Sequence, residues 1–106
     1  MIMRLFDTAI DPDDVEVIKE LFRRDILPAF EKFEGFRGIS MHLGVEEHGG
    51  DLVECVAVSS WDSMEAVRAA ESTHAYADAM REIRKLFGQA PLIRHFETVE
   101  VETSVD

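Results

Sequence analysis

Hydrophobic and polar positions alternate along four stretches of this chain and recur at three- and four-residue steps along two others. The order is strand, helix, strand, strand, helix, strand. The first strand, Ile2 to Ala9, puts Met3, Leu5, Asp7 and Ala9 on one face and Ile2, Arg4, Phe6 and Thr8 on the other. The third, Leu52 to Trp61, is largely apolar on both faces: Val53, Cys55, Ala57, Ser59 and Trp61 oppose Leu52, Glu54, Val56, Val58 and Ser60. A strand with water on one side would alternate more cleanly. Double cover is therefore predicted, by helices on one face and a second copy of the chain on the other. Between these, Phe36 to Glu46 alternates as Ile39, Met41, Leu43 and Val45 against Ser40, His42, Gly44 and Glu46. The last strand, Leu92 to Val101, is mixed on both faces, with Ile93, His95, Glu97 and Val99 opposite Leu92, Arg94, Phe96 and Thr98.

The first helix is announced by Asp11-Pro12-Asp13-Asp14: a capping carboxylate, a proline suited to the first position and acidic residues at the positive end of the helix dipole. Val15, Ile18, Phe22, Ile26, Phe30 and Phe33 form its core stripe, widened by Val17 and Leu21. Pro28 interrupts that stripe, which predicts a kink or break near Asp25 to Leu27. Gly35 is expected as a left-handed cap with Phe36 folding back on the last turn. Asp62 and Glu65 have capping-box spacing, so the second helix is expected to start at Ser63, with a possible restart at Ser72-Thr73. Its buried stripe reads Val67, Ala70, His74, Ala77, Met80, Ile83 and Phe87, closed by Gly88 and stopped by Pro91.

At 106 residues the chain is expected to be a single domain over 1–106, ending in an acidic tail over about 102–106 that includes Glu102 and Asp106. A formal net charge of -11 repels phosphate backbones and anionic lipid, which argues against nucleic-acid and membrane partners. No stretch is long and apolar enough to cross a bilayer. The N-terminus reads as a strand rather than a signal peptide. The single Cys55 lies inside an apolar strand, which points to a reducing, cytoplasmic compartment.

His74 is the one ionisable side chain on the buried stripe of the second helix. In a first turn the helix dipole favours its neutral ring, which could accept a substrate proton; the alternative is that it packs and bonds a backbone carbonyl. Asp7 shares a face with Met3 and Leu5 and either faces a cavity or sits wet at the strand end. Metal chemistry is a distant possibility: Glu46, Glu47 and His48 share a turn, while His42, His74 and His95 lack local ligand spacing.

Three stretches carry a resemblance: Phe33-Glu-Gly-Phe-Arg-Gly-Ile39, the strand exit Val58-Ser-Ser-Trp-Asp-Ser63, and Glu71-Ser-Thr-His-Ala75. They resemble the antibiotic biosynthesis monooxygenase family across nearly the whole chain. The resemblance implies an α+β, ferredoxin-like βαββαβ fold with a four-stranded antiparallel sheet. It also implies a homodimer closed as a dimeric α+β barrel, with a ligand cavity between helices and sheet in each subunit. Family reactions include cofactor-independent oxidation of phenols and hydroquinones, and haem degradation. The haem-degrading branch uses an Asn on the first strand and a Trp and a His on the second helix, where this chain has Asp7, Ala70 and Met80. Haem is therefore disfavoured and no cofactor is expected.

A cofactor-independent monooxygenase for a small phenol- or hydroquinone-like aromatic needs a base to ionise the substrate and a dry pocket. His74 is the candidate base, with Asp7 orienting it or acting itself. Trp61 is a candidate stacking platform or a core plug, and Arg94 a candidate partner for an anionic substrate oxygen, for Asp7 or for a surface acid. The alternative function is a non-catalytic dimeric barrel that binds a small ligand or haem.

Overall fold

The computed structural model describes residues 1–99. Strands β1 (Ile2–Ile10), β2 (Phe36–Leu43), β3 (Val53–Trp61) and β4 (Leu92–Glu97) form one antiparallel sheet in the order β2-β3-β1-β4. Helical segments α1 (Val15–Leu21), α2 (Leu27–Phe30), α3 (Met64–Glu71) and α4 (His74–Arg84) lie between the strands, giving the expected ferredoxin-like α+β arrangement. The last strand, expected to run to Val101, ends at Glu97, with Thr98 and Val99 already beyond it, while Glu100, Val101, Glu102 and Asp106 lie outside the described residues.

Period-two patterning sorts the sheet residues as expected. Arg4, Phe6, Thr8 and Ile10 of β1 and Cys55, Ser59 and Trp61 of β3 are buried beneath the helices. They pack there with Ile18, Leu21, Ile26 and Phe30 from the first helical region and with Val67, Ala70, Met80 and Ile83 from the second. Trp61 sits at the centre of an aromatic cluster with Phe30, Phe33 and Phe36, at ring separations of 6.0, 6.2 and 5.3 Å.

The first helix opens as anticipated, with Asp11 accepting from the Asp13 amide at 2.8 Å. Its interruption is a π-helical turn, Phe22–Ile26, in which the Leu27 amide reaches back to the Phe22 carbonyl. Pro28 explains the position: it offers no amide to the Arg24 carbonyl and its ring crowds that group, so the preceding turn widens. Val17, expected on the core stripe, is 49% exposed. Gly35 has φ 81°, and a Cβ there would come within 2.6 Å of the Ala66 Cβ, so only glycine fits between the β2 entrance and α3. Its carbonyl accepts from the Asp62 amide at 2.8 Å.

The second helical region corrects three sequence expectations. Ser63, not Asp62, is the cap, accepting from the Ala66 amide at 3.1 Å; Asp62 instead binds Arg37 through both carboxylate oxygens at 2.6 and 3.0 Å. The restart is real: Thr73 Oγ1 accepts from the Tyr76 amide at 3.1 Å and begins α4. That step resets the helical phase, so Tyr76, Ala79, Met80 and Ile83 are buried while His74 and Ala77 are exposed. The third correction is the ending, which falls at Arg84 rather than Gly88. Gly88 donates to the Ala9 carbonyl at 2.7 Å and lies against the Leu52 side chain.

On the other face of the sheet no helix packs among the described residues. Met3, Leu5, Asp7, Val56 and Val58 are half-buried there, and every residue of the edge strand β4 is exposed. Leu92 and Phe96 are 55% and 45% exposed, and by register they lie beside Asp7 and Met3. No helix among the described residues is long and apolar enough to cross a membrane.

Candidate functional site

A cavity of about 40 Å³ lies between the helices and the covered face of the sheet. Its floor is two adjacent cross-strand pairs, Phe6 with Ala57 and Thr8 with Cys55. Ile39 and Met41 of β2 close one side, Met80, Ile83 and Phe87 another, and Ile18, Phe22, Ile26 and Phe30 form the roof. Phe22 and Ile26 belong to the π turn, so the helix defect set by Pro28 is built into the cavity wall.

Three polar side chains reach this wall: Arg4, Thr8 and Cys55. Thr8 donates its hydroxyl to the Gln89 carbonyl at 2.8 Å. Cys55 is held as a neutral thiol, because burial and then the charge of Asp7 push its pKa up to about 11. Arg4 is 3% exposed, so its charge is removed from bulk water. Its Nε binds Glu71 Oε2 at 3.0 Å and its Nη2 donates to the Tyr76 hydroxyl at 2.6 Å. The guanidinium carbon lies 5.5 Å from the ring centres of both Phe6 and Tyr76. Glu71 ends α3 and Tyr76 lies in the first turn of α4, so the step between these helices delivers both partners to one cation.

None of the four residues singled out from sequence lines the cavity. His74 is exposed at the start of α4. Trp61 is fully enclosed and donates its indole N–H to Ser59 Oγ at 2.8 Å, one layer behind the cavity-lining Phe30. Asp7 lies on the open face of the sheet, where its Oδ1 is buried without a hydrogen-bond partner. Arg94 is on that face too, exposed, with its guanidinium 5.8 Å from the Phe96 ring and no ion pair to Asp7 among the described residues. Hydrogen bonding with the Asp7 carboxyl, and then the charge of Asp7, raise the pKa of Glu54, so these two acids on the open face are close enough to share a proton. Arg4 was legible as a lone charge in phase with Ile2, Phe6 and Thr8; Tyr76 was hidden by the change of phase at Thr73.

No set of three or more His, Cys, Asp or Glu side chains suited to a metal comes together among the described residues. His48 instead bonds Gln89 Oε1 at 3.0 Å, and His42 bonds Ser40 Oγ at 2.8 Å. Haem does not fit this cavity, which is too small for a macrocycle and has no histidine on its wall.

No family model matches the chain, and no curated protein matches it either. Solved structures do. A crystal structure of an antibiotic biosynthesis monooxygenase superposes with TM-score 0.74 at 13% identity, covering 94% of this chain and 100% of that one. A candidate monooxygenase of the same name from Bordetella bronchiseptica gives TM-score 0.77 at 14% identity over 93% of this chain and 97% of its own. The fold is that of the antibiotic biosynthesis monooxygenases. A variant of SnoaB, a cofactor-independent oxygenase from Streptomyces nogalater, shares this monooxygenase fold with TM-score 0.71 and 17% identity, covering 94% of each chain. At such identities the likeness concerns the fold, and the chemistry has to be argued from the cavity.

Proposed function

We propose that this protein is a cofactor-independent monooxygenase acting on a small phenol- or hydroquinone-like aromatic bound between the helices and the sheet. The observation that supports the reading is the cavity itself: a mostly apolar, aromatic-rich space with one buried cation at its wall. A phenol or enol that ionises there becomes electron-rich enough to reduce oxygen directly. When a ring CH₂ becomes C=O, one oxygen atom stays on the product and the other leaves as water, so no external reductant is required. The protein's part is to bind the ring, exclude water and stabilise the anion.

The cavity holds about three waters by volume, so an aromatic ring needs more room. Met41 and Met80 are unbranched and adapt readily, and the π turn carries Phe22 on a segment already out of helical register. Two copies of the chain packing open face to open face, as a homodimer, would cover Met3, Leu5, Val56, Val58, Leu92 and Phe96 and give Asp7 a partner.

Metal-stripped protein supplied with a panel of anthrone- and hydroquinone-type phenols under ¹⁸O₂ tests the function. The expected result is oxygen uptake with one labelled atom in the product. A protein that binds these molecules without consuming oxygen would be a small-ligand binder instead.

A further inference from the structure

Arg4 is more than the cavity's electrostatic background. A guanidinium has five N–H donors, and the hydrogen bonds of Arg4 among the described residues use Nε and Nη2, leaving Nη1 unengaged. The side chain stands at one end of a wall that is otherwise apolar or neutral, since Cys55 keeps its proton and Thr8 gives its own to Gln89. A cation at that position is costly to bury, and an apolar side chain of similar length would fill the space without the penalty. Glu71 offsets only part of this cost, because its carboxylate is 30% exposed and screened by water.

We infer that the cavity selects molecules carrying an acidic oxygen, a carboxylate or an ionised phenol or enol, on a flat apolar body, and that Arg4 is the residue that holds this oxygen. Resting on the cavity being the substrate site, this inference adds the charge class of the substrate and the residue that reads it. Glu71 and Tyr76 are positioning residues: the carboxylate fixes Nε, the hydroxyl fixes Nη2, and the Phe6 and Tyr76 rings each lie 5.5 Å from the guanidinium carbon. An anion brought here exchanges hydration for a charge-assisted hydrogen bond in a site of low polarity, which discriminates sharply against a neutral analogue of the same shape. A positioned cation also lowers the pKa of a bound phenol or enol, so the substrate could ionise without a histidine on the wall.

Benzoate and benzyl alcohol, matched in ring and differing in charge at pH 7.5, provide the test by calorimetric titration of the intact protein. Wild type is expected to bind benzoate at least tenfold more tightly than benzyl alcohol. Arg4→Gln should abolish that preference while keeping the alcohol affinity. Tyr76→Phe retains the cation and removes the hydroxyl that fixes Nη2, so it should weaken benzoate about threefold while the alcohol, which does not depend on the guanidinium, is much less affected; it keeps the test decisive even if Arg4→Gln fails to fold. Equal affinity of wild type for the two probes, or a benzoate preference that survives Arg4→Gln, overturns the role of Arg4 while leaving the cavity as a site. Binding of neither probe overturns the cavity reading as well.

Discussion

The two faces of the sheet are built from the same strands and settle their polar groups differently. Beneath the helices Arg4, Thr8, Ser59 and Trp61 each have hydrogen-bond partners, and the apolar side chains interlock. On the opposite face Asp7 Oδ1 is buried unpartnered amid half-covered Met3, Leu5, Val56 and Val58. Buried polar groups in native proteins are almost always paired, so the first face is finished within the chain, while the second is the face that the proposed dimer would cover. The proposed function follows the same division: the covered face holds the cavity, and the open one would form the contact between copies.

The division can be broken most severely from the helix side. Trp61→Ala empties the centre of the aromatic cluster and is expected to cost about 4 kcal/mol in denaturant unfolding, in the range for large aromatics removed from cores. Gly35→Ala forces a Cβ against Ala66 at a left-handed φ and should cost about 2 kcal/mol, read as a lower melting temperature. Changes on the open face should instead affect association. Val58→Asp is expected to weaken self-association at least tenfold in sedimentation while far-UV circular dichroism is preserved; a wild-type chain that sediments as a monomer at micromolar concentration would remove the dimer altogether.

Protonation sharpens the contrast. Glu54 has its pKa raised, chiefly by Asp7, so its proton is held more firmly in the folded chain than in the unfolded one. Charge repulsion on the open face should therefore ease as pH falls through that titration, and association should tighten in wild type more than in Glu54→Gln. Cys55 gives a smaller effect on the covered face. With its pKa raised from 9.0 to about 11, the folded thiol stays protonated where the unfolded one ionises. Its contribution to stability is complete below pH 9 and is lost between there and about pH 11. Iodoacetamide should correspondingly label native Cys55 slowly at pH 8 and rapidly only after unfolding.

Much of this architecture was legible because it follows short-range rules. Alternation in β1 and β3 assigned each residue its face, and Pro28 located the helix defect to within its turn. The site was harder to read because it depends on phase and on contacts between distant elements. A continuous helix from Val67 would bury His74; the Thr73 cap restarts the helix and buries Tyr76 instead. Arg94 and Arg4 are both arginines on mixed strands, yet β1 is central and β4 is an edge, so only Arg4 is enclosed. Asp7 illustrates the same limit: alternation put it on the face of Met3 and Leu5, but only the packing of the helices against the Phe6 face reveals that this one is open.

Oxygen uptake by Ala57→Val tests most directly whether the covered cavity is where the chemistry happens. The substitution adds two methyl groups to the cavity floor on a strand that accommodates β-branched residues, away from the open face. With melting temperature and oligomeric state matched to wild type, uptake with a hydroquinone-type substrate is expected to fall at least tenfold. Undiminished uptake by this variant would place the reaction elsewhere and contradict the account.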